Sequence, residues 1–223
     1  TPAEAIRFGL ARELAEQTFA PLSVLLIERE ALPPRRTPGL PDDAFIRGAV
    51  PMTKQEVRAA ALAKLAVTPT DTLWDVGAGT GSVSVELALA APAGQVYAVE
   101  CDPEACALIQ QNREKFAAYN LTLIEGKAPD ALDALPAPDA VFIGGTKGNM
   151  DAVIDAVLHK NPVARLCVAA IALETLSAAV AALTAHGLAA EVTQIAVNRT
   201  KTAGSLHLLM ANNPVFLIMG ART

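Results

Sequence analysis

Apolar residues along the chain recur with two spacings, and the two patterns alternate from residue 72 onward. Short continuous apolar runs predict buried strands, and longer segments with apolar residues every three or four positions predict helices. Their alternation is typical of a parallel, doubly wound α/β sheet. The pattern predicts strands at 72–76, 95–100, 121–125, 139–143, 164–171, 189–197 and 214–220, and helices at 81–91, 103–117, 148–159 and 173–186.

The last two predicted strands are separated only by a short polar stretch, residues 198–213, in which no helix is predicted. A right-handed crossover between parallel strands needs about a dozen residues or more, usually helical. The last strand is therefore expected to run antiparallel. The prediction is a mostly parallel, seven-stranded sheet with an antiparallel last strand.

The N-terminal part of the chain follows a different plan. Residues 3–17 have a helical pattern, and 21–27 read as a buried strand. Prolines in 31–41 forbid both helix and ladder, which predicts a linker. A helix and strand at 1–30 fit either the remnant of an upstream domain or a decoration packed on the main domain, 42–223.

The segment between the linker and the first sheet strand predicts a loop followed by a helix. The loop carries an aromatic anchor at Phe45. Thr53 and Glu56 have the spacing of a capping box, which predicts that a helix starts at Thr53 and continues to about Ala66.

Composition limits the partners and the compartment. The chain is 52% hydrophobic but only 4% aromatic, which is common in helix-covered parallel sheets. The net charge of −5 does not predict a broad nucleic-acid footprint. No apolar run approaches the roughly 18 residues of a membrane span, so no membrane partner is expected. Three cysteines without a C-x-x-C pair indicate a reduced, cytoplasmic protein.

The most informative stretch is the turn from the first predicted strand into the first helix of the sheet. It carries an acid and three glycines at alternate positions, in the order Asp75, Val76, Gly77, Ala78, Gly79, Thr80, Gly81. Such a loop lets a ligand approach the backbone. A dinucleotide loop reads G-x-G-x-x-G, but here Ser82 stands at the third glycine position.

The D-x-G-x-G-x-G pattern instead favours S-adenosylmethionine. Asp75 suits the ammonium group of its methionine part, and a second acid should end the next strand to hold the ribose. Glu100 is that acid. A nucleotide-type cofactor and a purely structural turn are the alternatives.

Other chemistry is less well supported. The fourth predicted strand ends in Gly-Gly-Thr-Lys, 144–147, where enzymes that methylate exocyclic nitrogens carry Asn/Asp-Pro-Pro-aromatic. Cys101, Cys106 and Cys167 lack the context of a nucleophile. No His, Asp and Glu cluster has metal-ligand spacing, so no metal is predicted.

Several segments together resemble one family, the decarboxylating precorrin-6Y C5,15-methyltransferases of cobalamin biosynthesis, in their C15-methylating module. The match runs from about residue 39 to the C-terminus. Its segments are 39–46, 75–82, 125–129, 143–148, 170–175 and 213–215. Residues 19–28 are similar to the closing strand of the tetrapyrrole methylase domain that precedes this module in fused enzymes, which favours the upstream-domain interpretation and a cobalt-free substrate.

The resemblance implies a class I, Rossmann-like methyltransferase fold, S-adenosylmethionine as cofactor and a homotetramer. It also implies methyl transfer to C15 of a precorrin and loss of the ring C acetate as CO₂. The cofactor contacts it implies are Thr53, Gly77 to Gly81, Glu100 and Ala128. Thr53 could contact the cofactor, cap the helix or do both.

The substrate is a polycarboxylate, so cations are expected in its cleft. The candidates are Arg47, Lys147, Arg199 and Lys201, with Gly145 beside Lys147. Lys147, Arg199 and Glu174 are the predicted catalytic residues; Glu174 would orient a pyrrole N–H or cap the following helix. Solvated surface positions are the alternative for each cation. A methyltransferase for protein or RNA and a non-catalytic cofactor-binding regulator are the rival functions.

Overall fold

The structure, a computed structural model, describes residues 5–27 and 38–221. These residues fall into two compact units, one on each side of the gap. The helices of the described chain reach at most 13 residues, and none of them is long and apolar enough to cross a membrane.

The first unit contains one short helix, α1 (Ala11–Leu14), of which no residue is buried. Residues 3 and 4 lie outside the described residues; over residues 5–17 the predicted helix is largely wrong, and residues 21–27 do not form the predicted strand. A strand needs a neighbour to accept and donate its backbone hydrogen bonds, and no described residue pairs with 21–27. A single helical turn is likewise marginal without packing. Most of the predicted linker lies outside the described residues.

The second unit holds the sheet and the remaining helices. Its helices are α2 (Gln55–Leu65), α3 (Ser82–Ala90), α4 (Pro103–Lys115), α5 (Met150–Lys160) and α6 (Leu173–Ala185). Its strands are β1 (Thr72–Val76), β2 (Gln95–Glu100), β3 (Leu121–Glu125), β4 (Ala140–Ile143), β5 (Arg165–Ala170), β6 (Ala189–Ile195), β7 (Asn198–Ala203), β8 (Leu206–Ala211) and β9 (Val215–Ala221).

The main sheet has seven strands in the order β3-β2-β1-β4-β5-β9-β6. Strands β1 to β5 pair in parallel, and β9 lies antiparallel between β5 and β6. The predicted α/β fold and its antiparallel last strand are confirmed. Because the chain leaves β1 on one side and returns at β4 on the other, a crevice opens between these strands at their carboxyl ends.

The sheet divides the core into two layers, since successive side chains of a strand point to opposite faces. Leu73 packs with α2 and α3 on one face. Trp74 packs with α5 on the other face and is fully buried. Asp75 follows Leu73 by two positions, so its carboxyl group points under α3 rather than along the strand.

A β-hairpin replaces the predicted polar connection before the last strand. Strands β7 and β8 pair antiparallel and form a separate two-stranded sheet. The prediction that no helix forms at 198–213 agrees with the structure, but the prediction included no strands there. It missed the hairpin because β7 reads Asn-Arg-Thr-Lys-Thr-Ala, which has no apolar alternation. Gly204, with a φ of +64°, makes the turn between the strands.

A buried cluster of charges fixes the segment before α2. The Arg58 side chain is fully buried and donates to Glu86 (Nε–Oε1, 2.7 Å) and to Asp42 (Nη1–Oδ1, 2.8 Å). Its guanidinium lies 4.7 Å from the centre of the Phe45 ring. Glu86 in turn accepts a hydrogen bond from the backbone nitrogen of Leu40, at 3.1 Å. Arg58 thereby ties this segment to α2 and α3.

The cap of α2 also differs from the prediction. The helix begins at Gln55, and no side-chain bond of a capping box is present. Instead, the Asp42 carboxylate accepts the backbone N–H of Gln55 at 2.9 Å. Asp42, from a distant segment, therefore caps the helix in place of the Thr53 side chain. The carbonyl oxygen of Thr53 instead accepts a hydrogen bond from Arg58.

Candidate active site

The carboxyl ends of the parallel strands open into a cleft of about 760 Å³. This is the position at which open α/β sheets bind ligands. Its lining comes from segments 50–54, 76–79, 99–102, 126–128 and 144–148, with Ala105, Ala169, Ile171, Ala172, Thr175, Asn212, Asn213 and Val215. Loops from five strands and the segment before α2 therefore share one cavity.

The glycine loop lies on the floor of this cleft in a left-handed backbone conformation. The φ angles of Gly77 and Gly79 are +73° and +56°. A Cβ atom on Gly77 would lie 2.7 Å from the backbone nitrogen of Gly145, and closer still to its carbonyl oxygen. Only glycine satisfies both constraints, so the loop leaves its backbone bare toward the cleft.

Glu100 is the acid best placed for a ligand. Its carboxylate accepts three backbone hydrogen bonds, from Gly79 at 2.9 Å, Cys101 at 2.7 Å and Asp102 at 3.0 Å. The residue is 8% exposed and lines the cleft. The carboxylate is thus held in one orientation, and its remaining lone pairs can accept hydroxyl groups of a sugar. This geometry fits the ribose of S-adenosylmethionine.

Other predicted cofactor residues divide between the cleft and the core. Thr53, Ala78 and Ala128 line the cleft with Gly77, Gly79 and Glu100. Gly81 and Thr80 do not. Gly81 immediately precedes α3, and a Cβ atom there would lie 3.0 Å from the Ile109 side chain, so its small size serves helix packing. The buried hydroxyl of Thr80 has no hydrogen-bond partner in the described structure.

Asp75 does not reach the cleft, which revises the expectation that it contacts the ammonium group directly. The residue is 1% exposed and accepts a hydrogen bond from the Ser84 hydroxyl in α3. Its other carboxylate oxygen is buried without a partner among the described residues. Burial raises the pKa of Asp75 to about 7, against the opposing effect of the Ser84 hydrogen bond.

The Asp75→Asn variant is expected to be less sensitive to alkaline pH than the parent protein. A carboxyl group whose pKa is raised on folding, here from 3.8 to about 7, binds more protons folded than unfolded between those values. Its contribution to stability is therefore lost as pH rises through that window. Between pH 5 and pH 8 the parent should lose about 2–3 kcal/mol of unfolding free energy relative to the variant.

Urea unfolding at a series of pH values measures this difference. Asp155→Asn, at an exposed position of α5, is the control and should track the parent. Parallel stability curves for Asp75→Asn and the parent would show that Asp75 is ionised throughout.

The predicted substrate and catalytic residues also separate. Lys147 and Gly145 line the cleft, whereas Arg47, Lys201 and Glu174 are exposed and do not line it. Arg199 does not line it either. It lies in β7 and donates to both oxygens of Glu56, Nε–Oε1 at 3.1 Å and Nη2–Oε2 at 2.5 Å, and to Asp42 at 2.8 Å.

Arg199→Ala is accordingly expected to leave methyl transfer unchanged within about twofold, contrary to the catalytic role first predicted for it. Its side chain is 39% exposed, so the loss of its ion pairs should cost only about 0.5–1 kcal/mol of unfolding free energy. Initial rates and chemical denaturation measure the two quantities. A large fall in turnover with unchanged stability would show that Arg199 takes part in the reaction.

Several polar residues of the cleft were not predicted from the sequence. Lys54, Asn212 and Asn213 line it, although none was a candidate. Lys127 also lines it, and its place just after the third predicted strand was a usable signal. The sequence contained no such signal for Lys54, because only the fold brings the segment before α2 over the strand ends.

Comparison with known proteins agrees with this arrangement. A family model described as a precorrin methyltransferase domain matches residues 43–221. The chain belongs to the precorrin methyltransferase family. The resemblance first noted in the glycine loop and the strand ends is therefore confirmed.

Relatives of the family match over most of their length. A protein of Pyrobaculum calidifontis named probable cobalt-precorrin-6B C(15)-methyltransferase (decarboxylating) is 46% identical over 188 residues, which is 83% of this chain and 96% of the relative. The crystal structure of a precorrin-6y C5,15-methyltransferase from Geobacter metallireducens has a TM-score of 0.79 at 40% identity, covering 83% of this chain and 96% of that one.

A second similar structure is the C-terminal domain of a precorrin-6Y C5,15-methyltransferase from Rhodobacter capsulatus. Its TM-score is 0.72 at 32% identity, and the match covers 83% of this chain and 98% of that one. Members of the family are thus similar to this chain over the second unit, which carries the cleft.

Proposed function

We propose that this chain transfers a methyl group from S-adenosylmethionine to C15 of a precorrin and removes the ring C acetate of that substrate as CO₂. The observation that carries the proposal is the Glu100 carboxylate, which three backbone amides orient beside the glycine loop. The cleft lies in the domain that matches the precorrin methyltransferase family. The names of the similar proteins support the choice of substrate.

The residues of the cleft divide the work of binding the cofactor. Glu100 accepts the ribose hydroxyls, the backbone of Gly77 to Gly79 receives the methionine part, and Ala128 contributes an apolar wall. Thr53 closes the cleft from the segment before α2. When bound, S-adenosylmethionine supplies an electrophilic methyl group on a sulfonium that leaves as a thioether.

The reaction asks the protein chiefly for alignment. A meso carbon of a partly reduced tetrapyrrole is electron-rich, so the substrate provides its own nucleophile. Its conjugated imine system accepts the electron pair released when the acetate loses CO₂. The cleft aligns the two reacting carbons and excludes water, and no base within the chain is required for C–C bond formation.

Mass spectrometry of the product tests the proposal. The protein is incubated with a precorrin mixture and S-adenosylmethionine labelled on its methyl group. A gain of one labelled methyl together with loss of CO₂ is expected. Label that binds without transfer would favour a non-catalytic regulatory module. Label that appears on protein or RNA would favour a methyltransferase that acts on those molecules.

We extend the proposal to a homotetramer, which the family resemblance implies. The β7–β8 hairpin supports an assembly because it exposes Leu206, Leu208, Leu209 and Met210, with Leu209 at 74% exposure. Exposed apolar side chains grouped in this way are common at protein interfaces. Sedimentation equilibrium is the test, and a monomer at micromolar concentration would rule the assembly out.

We also propose that residues 1–30 are the tail of an upstream tetrapyrrole methylase domain. The family model starts at residue 43, and the Rhodobacter capsulatus relative is a C-terminal domain. A chain that starts at residue 38 should bind S-adenosylhomocysteine within twofold of the parent. Under this proposal the substrate is cobalt-free, and preferred turnover of the cobalt complex would contradict it.

The proposed reaction takes place in the cytoplasm and involves neither nucleic acid nor membrane. The three cysteines, which are free in the structure, suit a reducing compartment. Cell fractionation tests the location, and recovery from the membrane fraction would contradict it.

A further inference from the structure

The charged residues of the cleft differ in whether their charge is already engaged. Its two acids are held by backbone amides: Glu100 accepts three, and Asp102 accepts the N–H of Glu104 at 2.9 Å. Its cations are Lys54, Lys127 and Lys147. Within the described chain none of the three forms an ion pair. The cleft therefore offers positive charge to a ligand, although the protein is acidic overall.

The backbone fixes the position of Lys147. Its φ is +49°, a left-handed conformation that side-chain-bearing residues rarely adopt, and Gly148 follows at +93°. Its ammonium nitrogen lies 3.1 Å from the sulfur of Cys101, one residue beyond Glu100. That hydrogen bond raises the pKa of Lys147. The loop after β4 thus places a cation near the end of β2.

Lys54 stands on another wall. It precedes α2 in the segment that crosses the glycine loop, where a Cβ atom on Gly79 would lie 3.2 Å from the carbonyl oxygen of Pro51. Lys127 lines the cleft too, but its side chain is exposed. Lys54 is half-buried, and Lys147 donates to Cys101, so these two cations have the better-defined positions.

We propose that Lys54 and Lys147 bind carboxylate side chains of the tetrapyrrole, and so select a polycarboxylated macrocycle. This inference rests on the proposed function and names its substrate-binding residues. The amide groups of Asn212 and Asn213, which line the same cleft, add neutral donors for further carboxylate oxygens. The residues replace Arg47, Arg199 and Lys201, the sequence-predicted cations that do not line the cleft.

Two porphyrins serve as probes with the protein loaded with S-adenosylhomocysteine. Uroporphyrin I is an octacarboxylate, and coproporphyrin I is the tetracarboxylate with the same ring. Tryptophan or porphyrin fluorescence gives the Kd at several salt concentrations. The parent protein should bind the octacarboxylate more tightly, with a strong dependence on salt.

Lys54→Ala and Lys147→Ala should each raise the Kd for uroporphyrin I about tenfold, the factor expected when one charge-assisted hydrogen bond is lost. In each variant the Kd for uroporphyrin I should also depend less on salt, and the Kd values for the two porphyrins should lie closer together. Lys147→Arg should recover most of the affinity because the charge is retained. Lys115→Ala, at an exposed position at the end of α4, is the control and should match the parent.

Unchanged Kd values in both alanine variants would overturn the inference, as would a parent protein that binds neither porphyrin. Neither result touches the proposed function, which the labelled-methyl experiment decides separately. Calorimetry with S-adenosylhomocysteine checks that each variant is folded, and an unaltered cofactor Kd is the expected result.

Discussion

Replacing Glu100 with alanine is expected to weaken S-adenosylhomocysteine binding roughly 100-fold. Under the proposed function the carboxylate accepts the sugar hydroxyls, and hydrogen bonds to a charged group contribute about 1.5–3 kcal/mol each. The loss of two such bonds, partly compensated by water, corresponds to about 3 kcal/mol. Removal of the carboxylate also leaves the amides of Gly79, Cys101 and Asp102 without their acceptor. Titration calorimetry measures the Kd.

Glu125 provides the matched control, because it pairs with Glu100 in the register of β2 and β3 and ends the adjacent strand. It is exposed and does not line the cleft, so Glu125→Ala should bind the ligand as the parent does. Denaturation curves for both variants separate a binding effect from unfolding. A loss of less than about fivefold in a folded Glu100→Ala protein would remove the ribose role from this residue.

The largest effect on stability is expected for Arg58→Met. Its guanidinium is fully buried and contacts Glu86, which is also fully buried, and Asp42. Removal of one partner from a buried ion pair leaves an uncompensated charge and typically costs about 3–5 kcal/mol. The variant also loses the hydrogen bond to the carbonyl of Leu40, at 2.5 Å. Urea unfolding, followed by circular dichroism, should show a decrease of this size.

Lys64→Met is the control within the same helix. Lys64 pairs with Glu191, whose side chain is 64% exposed, so the loss should stay below about 1 kcal/mol. Helix propensity is similar for both substitutions. If Arg58→Met cost no more than Lys64→Met, the cluster would not fix the segment before α2.

Strong periodicity made the main sheet predictable. The runs at 72–76, 95–100 and 121–125 are apolar enough that their predicted bounds agree with β1, β2 and β3. The hairpin could not be found in the same way, because β7 is polar and largely exposed and has no buried face. Its stability comes from pairing with β8, which a local pattern does not report.

Contacts between distant segments limited the prediction of the site. The Thr53 and Glu56 pair has the spacing of a capping box, yet Asp42 caps α2 because Arg58 draws the earlier segment against the helix. Arg199 was assigned to the substrate on charge alone, although two carboxylates outside the cleft satisfy it. The glycine loop and Glu100 were accessible to sequence analysis, since their chemistry depends on position at a strand end.

The three amides that donate to Glu100 affect the cost of binding a ligand in the cleft. Under the proposed function, the oxygens that accept the sugar hydroxyls are already oriented by these amides before the nucleoside binds, so binding does not have to order this carboxylate. Affinity in such a pocket is not diminished by ordering of that group. In the proposed function, recognition of the nucleoside then depends on a carboxylate oriented before binding, and recognition of the acceptor depends on the lysines elsewhere in the cleft.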